Sequence, residues 1–240
     1  MKALYIITGA SKGIGEALAN QLEQDNNNEV LRLARTNPNA LPNLITVDLT
    51  DESASVKAMT DWLNPRLTEA TSVTLINNAG TVEPMGVVGK INASQLSQAL
   101  MLNVGAVIAL TSSFVELTDR FNGQKFVMNI SSGAGRNAYE GWGVYCATKA
   151  AVDRFTEVLV KEQSTKTNPV KATSIAPGII DTGMQSTIRS HSEEYFPNVD
   201  RFIDYKNTGK LSSPEATAAA LINYLHSEKM GTFAITDIRD

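Results

Sequence analysis

Along the chain, short apolar runs rich in β-branched residues alternate with longer stretches in which apolar positions recur every three or four residues. The first pattern suits strands buried on both faces and the second suits helices packed against them, so the alternation predicts βαβ units joined into a parallel sheet. Strands are predicted at 3–8, 30–34, 44–48, 73–77, 125–130, 170–175 and 232–236, and helices at 14–24, 53–63, 94–121, 144–163 and 214–226. The fold class that follows is α/β: a Rossmann-type doubly wound sheet of about seven parallel strands with helices on both faces. No Pro/Gly/Ser-rich linker or internal repeat divides residues 1–240, which read as a single domain. The polar segment 182–210, with Pro197 and scattered aromatics, suits either a substrate lid or an ordinary surface excursion.

Composition narrows the function classes. Hydrophobic residues at 42% and charged residues at 19% describe a compact soluble chain, neither disordered nor a coiled coil. Lys+Arg 21 against Asp+Glu 25 gives −4 with no basic run, so nucleic acid is not expected as a partner. The longest apolar run, 104–110, falls short of the roughly 18 residues of a spanning helix, so no membrane partner is expected either. Met1-Lys2 leads straight into the first strand without a small-residue cleavage site, and the single Cys146 has no internal disulfide partner. Both point to an unexported, cytoplasmic chain. Two histidines without metal-ligand spacing predict no metal site.

Two local patterns carry chemistry. The first strand ends in Thr8-Gly9-Ala10-Ser11-Lys12-Gly13-Ile14-Gly15 and passes directly into a helix. Glycines there allow a tight turn and close backbone approach, and the helix start offers free N–H groups to an anion such as a pyrophosphate. Tyr145-Cys146-Ala147-Thr148-Lys149 sets a phenol and an ammonium one turn apart on one helix face. A cation so placed is expected to lower the phenol from near 10 and make it a proton-transfer group. Ser132, thirteen residues upstream of Tyr145, follows the fifth strand in Asn129-Ile130-Ser131-Ser132-Gly133 and has a hydroxyl to offer a carbonyl oxygen. Cys146 lies on another helical face and reads as packing.

Thr-Gly-x-x-x-Gly-x-Gly, Asn77-Asn78-Ala79-Gly80, the Ser132–Tyr145 spacing and Tyr-x-x-x-Lys together resemble the short-chain dehydrogenases/reductases, over nearly the whole chain. The resemblance makes 1–240 a dinucleotide-binding catalytic domain. It implies a tetrad of Asn103, Ser132, Tyr145 and Lys149, in which Ser132 steadies the oxyanion as a nicotinamide delivers hydride, Tyr145 donates the proton, and Asn103 holds a water that refills the proton path. It assigns Gly9, Ser11, Lys12, Gly13, Ile14 and Gly15 to the pyrophosphate turn and Asp48 with Leu49 to the adenine. Asn78, Ala79 and Gly80 also border the cofactor, Tyr145 and Lys149 reach its nicotinamide ribose, and Pro177, Gly178, Ile180 and Thr182 face the nicotinamide. Family members that use NAD carry an acid at the end of the second strand. Here Arg35 stands there, with Lys12 in the glycine turn, so NADP(H) is the expected cofactor unless both are plain solvated charges.

Asp181-Thr182-Gly183-Met184-Gln185 and Tyr205-Lys206-Asn207-Thr208-Gly209-Lys210-Leu211 resemble stretches of sepiapterin reductases and of the microbial benzil reductases. The resemblance implies a small-molecule ketone or α-diketone substrate. Trp142 and Met184 are candidates for a flat apolar wall or for core, and Asp237 aligns with the sepiapterin reductase acid that grips the pterin edge. Alternatives are a 3-oxoacyl or sugar-alcohol dehydrogenase of the same family, or a non-catalytic NADP sensor. A homodimer is expected, with a tetramer as the other arrangement.

Overall fold

The strand runs form β1 (Lys2–Thr8), β2 (Asn28–Ala34), β3 (Leu44–Thr46), β4 (Ala70–Asn77), β5 (Gln124–Ile130), β6 (Val170–Ala176) and β7 (Ile235–Asp237) in a computed structural model that describes residues 2–240. All pair in parallel, in the order β3-β2-β1-β4-β5-β6-β7. The strand order reverses between β1 and β4, which opens a crevice at the carboxyl ends of the strands. Around the sheet lie α1 (Gly13–Leu22), α2 (Glu52–Leu63), α3 (Ala93–Leu100), α4 (Ala106–Leu117), α5 (Gly143–Gln163), α6 (Gly183–Arg189), α7 (Val199–Asn207) and α8 (Pro214–Leu225).

Alternation along the strands separates two cores. Leu4 and Ile6 of β1 face Met59, Leu110, Phe114 and Leu159 of α2, α4 and α5. Tyr5 and Ile7 face Leu18, Leu221 and Leu225 of α1 and α8. Strands buried on both faces therefore appear in the sequence as unbroken apolar runs. A third cluster stands off the sheet: Phe196, Val199 and Phe202 from 182–210 pack on Trp142 and Tyr145. That segment is thus a folded pair of helices, α6 and α7, rather than a loose loop.

The structure corrects several boundaries. The strand expected at 232–236 begins only at Ile235, because Thr232 is tied back to Lys229 in a turn. The helix expected at 94–121 is α3, a π turn at Met101–Gly105 and α4, and it ends at Leu117, where Thr118 hydrogen-bonds back to Phe114. Counting only uninterrupted apolar runs also understated this segment. Ala93–Leu117 is long and apolar enough to cross a membrane by length and composition, with an 18-residue stretch of mean hydropathy 1.7, of which 33% is buried. In the fold it packs against α2 and α5 and carries the buried Asn103 at its middle.

Candidate active site

A cavity of about 730 Å³ runs along the carboxyl ends of the strands, from Lys12 and Arg35 at one end to Trp142 and Asp237 at the other. At the first end, Gly9 turns with φ +67° and passes so close to β4 that a Cβ would sit 2.9 Å from the Ala79 backbone. A Cβ on Gly15 would lie 2.5 Å from both the Asn78 amide and the Gly9 carbonyl. Only glycine fits either position. Thr8 Oγ1 accepts the Asn78 and Ala79 N–H groups, and Asn78 Nδ2 donates to the carbonyls of Thr8 and Gly9. The end of β4 therefore braces the glycine turn, and the Asn78 amide serves that brace. The start of α1 has no side-chain cap, which leaves its first N–H groups facing the cavity margin as an anion cradle.

Arg35 and Lys12 are exposed on that margin. Asp48 lines it too, its carboxyl held below its ordinary value chiefly by the Thr50 N–H and hydroxyl. Leu49, Gly80, Pro177, Gly178, Ile180 and Thr182 border the same cavity. Thr182 sits directly over Gly13.

At the centre, α5 presents Tyr145 and Lys149 one turn apart, both buried. Ser132 projects from the end of β5, where its Oγ accepts the Ala134 N–H at 3.2 Å and its hydroxyl faces the Tyr145 phenol. Asn103 sits in the π turn. Its Oδ1 accepts the Thr81 N–H at 2.8 Å, and its Nδ2 donates to the Thr81 carbonyl and to Thr148 Oγ1. Gly80 lies between this amide and Lys149, since a Cβ there would be 3.3 Å from Asn103 Oδ1 and 3.8 Å from Lys149 Nζ. The four residues expected to act together are thus gathered at one place.

Their electrostatics differ from the expectation. Burial pushes the Tyr145 phenol up, from 10.0 to about 12, against the opposing effect of the Ser132 hydroxyl. Burial also lowers Lys149, from 10.5 to about 8, with Asp153 opposing the change. The ammonium donates to the Ile130 carbonyl at 2.7 Å and lies 5.7 Å from the centre of the Tyr145 ring. The cation that was expected to lower the phenol is thus directed at a backbone oxygen, and desolvation outweighs it.

At the far end, Trp142 is both core and wall: it lines the cavity while stacking on Phe196 at 5.0 Å and meeting Tyr145 edge-on at 5.4 Å. Met184 lines the cavity beside it. Asp237 is there as well, but both of its oxygens are taken by Arg239, with Nε on Oδ1 and an Nη on Oδ2, each at 2.7 Å. Cys146 is half-buried against the third cluster. Sequence reasoning missed Arg239, Tyr139 and Phe202 of this wall, none of which stands in a recognisable motif, whereas Tyr205 opens one of the stretches singled out by resemblance.

The profile of the short chain dehydrogenases matches residues 3–193. A benzil reductase ((S)-benzoin forming) of Bacillus cereus is 40% identical over 236 residues, covering 93% of this chain and 94% of its own. A sepiapterin reductase of Bos taurus is 30% identical over 262 residues, covering 100% and 95%. Among solved structures, the KRED1-Pglu enzyme superposes with a TM-score of 0.83 at 26% identity, covering 96% of this chain and 98% of that one.

Proposed function

The chain belongs to the short chain dehydrogenase family, an NAD(P)-dependent oxidoreductase group, and on that premise we propose that it is an NADPH-dependent reductase of aromatic ketones and α-diketones of the benzil type. The observation that carries the reading is the meeting of Ser132, Tyr145 and Lys149 at the middle of a cavity with two cations at one end and an aromatic wall at the other. The residues fit a dinucleotide: Gly9 and Gly15 let the turn pack closely against the end of β4, the α1 start at the cavity margin has no side-chain cap on its first N–H groups, and Lys12 and Arg35 suit a 2′-phosphate. Bound there, the reduced nicotinamide supplies the hydride.

The chain's own groups do the rest. Ser132 offers its hydroxyl, which accepts the Ala134 N–H, as a donor to the substrate carbonyl oxygen and steadies negative charge as it forms. Tyr145, fully protonated at neutral pH, gives its proton to that oxygen. Lys149 holds positive charge beside the phenol, which favours the phenolate left behind. Asn103 fixes the backbone at Thr81 and stands next to Lys149 across Gly80, where it supports refilling of the proton path. Because Arg239 occupies Asp237, the wall offers an aromatic group flat apolar surface rather than an unpaired carboxylate, which supports a benzil-like over a pterin-like substrate.

Exposed Leu100 and Ile108 on α3–α4 and Val158 on α5 support a homodimer through those helices, and the lone cysteine supports a cytoplasmic setting. The test is initial rates with NADPH and NADH on benzil, sepiapterin and an acetoacetyl thioester. NADPH with benzil is expected to be the best pair. Preference for the thioester would move the reading to a 3-oxoacyl reductase, and no oxidation of NADPH with any of them would reject a reductase altogether.

A further inference from the structure

One buried ionisable group takes no part in the proposed chemistry and yet touches the strand end next to Ser132 and shares the helix of Tyr145 and Lys149. Asp153 follows Lys149 by one turn on the same face of α5 and is 4% exposed. Its Oδ1 accepts two hydroxyl protons at 2.6 Å, from Ser131 at the end of β5 and from Ser174 on β6. Its Oδ2 is buried without a partner. Gly135, in the short turn that Ser132 caps, packs directly on that oxygen: a Cβ there would be 2.6 Å from Asp153 Oδ2 and 3.0 Å from the Lys149 carbonyl.

An unpartnered carboxylate oxygen in a dry interior carries a substantial desolvation cost, so its charge demands a counterpart. The ionisable groups near Lys149 Nζ are Tyr145 and Asp153 on its own helix, with Cys146 beside Tyr145. The facing strand end, turn and π turn contribute the Ile130 carbonyl, Ser132 and Asn103, all uncharged. Asp153 is therefore the one anion acting on the buried ammonium, through space rather than by contact.

We propose that Asp153 is a positioning residue for the proton-transfer group: its carboxylate, clamped by Ser131 and Ser174, is the counter-charge that keeps Lys149 an ammonium, and its bond to Ser131 fixes the strand end from which Ser132 projects. The role rests on the proposed reductase reading, but its direct readout does not require turnover. Burial alone draws Lys149 down toward neutrality and Asp153 opposes this. A neutral residue at 153 therefore leaves Lys149 uncharged at a lower pH, and the alkaline limb of the reductase profile moves with it.

The experiment titrates the Lys149 side-chain nitrogen by NMR in the full chain as wild type, Asp153→Asn and Ser174→Ala, with the pH profile of kcat/KM measured in parallel. Asp153→Asn is expected to lower the Lys149 midpoint by about one pH unit, with the alkaline limb following and KM for benzil within about twofold. Ser174→Ala keeps the charge and removes one hydrogen bond, so it is expected to leave the midpoint in place even if stability falls. Should Asp153→Asn not fold, Asp153→Ser, which offers Ser131 and Ser174 a small polar partner, carries the same test. An unmoved midpoint in the neutral variant, or an equal move in Ser174→Ala, overturns the proposal. Absence of activity in wild type with a shifted midpoint in Asp153→Asn rejects the reductase reading and keeps the electrostatic role.

Discussion

Replacing Tyr145 by Phe tests the proposed chemistry at a single oxygen. The ring is 7% exposed and meets Trp142 edge-on at 5.4 Å with planes 75° apart, contacts that Phe retains. With the phenol at about 12, the ionised fraction at pH 7 is on the order of 10⁻⁵, so nearly every molecule holds the proton to be donated. Loss of a positioned acid removes about 10²–10⁴-fold in rate, or about 3–5 kcal/mol of transition-state stabilisation. The loss is expected in kcat, followed by NADPH absorbance, with the NADPH dissociation constant unchanged.

Stability gives that variant an independent signature. The folded pKa of Tyr145 lies above its ordinary value of 10.0, so its contribution is fully present below pH 10 and is lost as pH rises to about 12. Across that window wild type is expected to lose about 3 kcal/mol relative to Tyr145→Phe, at about 1.4 kcal/mol per pH unit. At pH 7 the two are expected to differ by no more than about 1 kcal/mol, or about 2–4 °C in Tm. Urea unfolding at pH 7 and pH 10.5 reads the first part of that loss, about 0.8 kcal/mol by pH 10.5. Turnover within about tenfold of wild type, or a weakening of NADPH binding in step with kcat, would refute the assignment of Tyr145 as proton donor.

Three further perturbations address other parts of the site. Arg35→Ser is expected to raise KM for NADPH by about tenfold or more while leaving NADH nearly unchanged, a loss consistent with about 1.5–3 kcal/mol for a charge-assisted bond; equal effects on both coenzymes would mean that Arg35 does not meet a 2′-phosphate. Gly15→Ala forces a methyl to within 2.5 Å of the Asn78 amide and the Gly9 carbonyl. It is expected to abolish saturable NADPH binding in a fluorescence titration, and retained affinity would show that the glycine turn is not the pyrophosphate site. Arg239→Ala removes both guanidinium bonds from Asp237, which frees Oδ2 and leaves Oδ1 only the backbone N–H of residue 239; KM for sepiapterin is expected to fall while that for benzil stays within about twofold, and equal changes on both would remove Asp237 from substrate selection.

The parts of the molecule legible in the sequence are those specified by local rules. Strands buried on both faces must be continuous apolar runs, and a backbone that meets a phosphate must be glycine-rich, so β1, β4, β5 and the turn at 8–15 stand out. The regions that differ depend on contacts made from afar. The π turn at Met101–Gly105 carries apolar spacing indistinguishable from a straight helix, and it surrounds Asn103, whose amide is held by Thr81 from another element. The Tyr145 phenol is governed by how deeply α5 is buried and by where Lys149 finds an acceptor, neither of which is encoded in a four-residue interval. Asp153 and Arg239 lie outside any motif; the significance of Asp153 rests on Ser131 and Ser174 being brought to it by the sheet, and that of Arg239 on its neighbour Asp237 lining the cavity.

Trp142 stacks on Phe196, meets Phe202 at a tilt and lies on the border of the cavity. A single indole thus serves both the docking of α6 and α7 and the recognition of whatever enters, so selection on substrate range cannot trim this ring without loosening the helices above it. Variation in the pocket should instead accumulate at half-buried Met184, whose flexible thioether side chain can change length at small cost. Libraries built to widen the accepted ketones should start there, and any gain obtained at position 142 should be accompanied by increased proteolysis within 182–210.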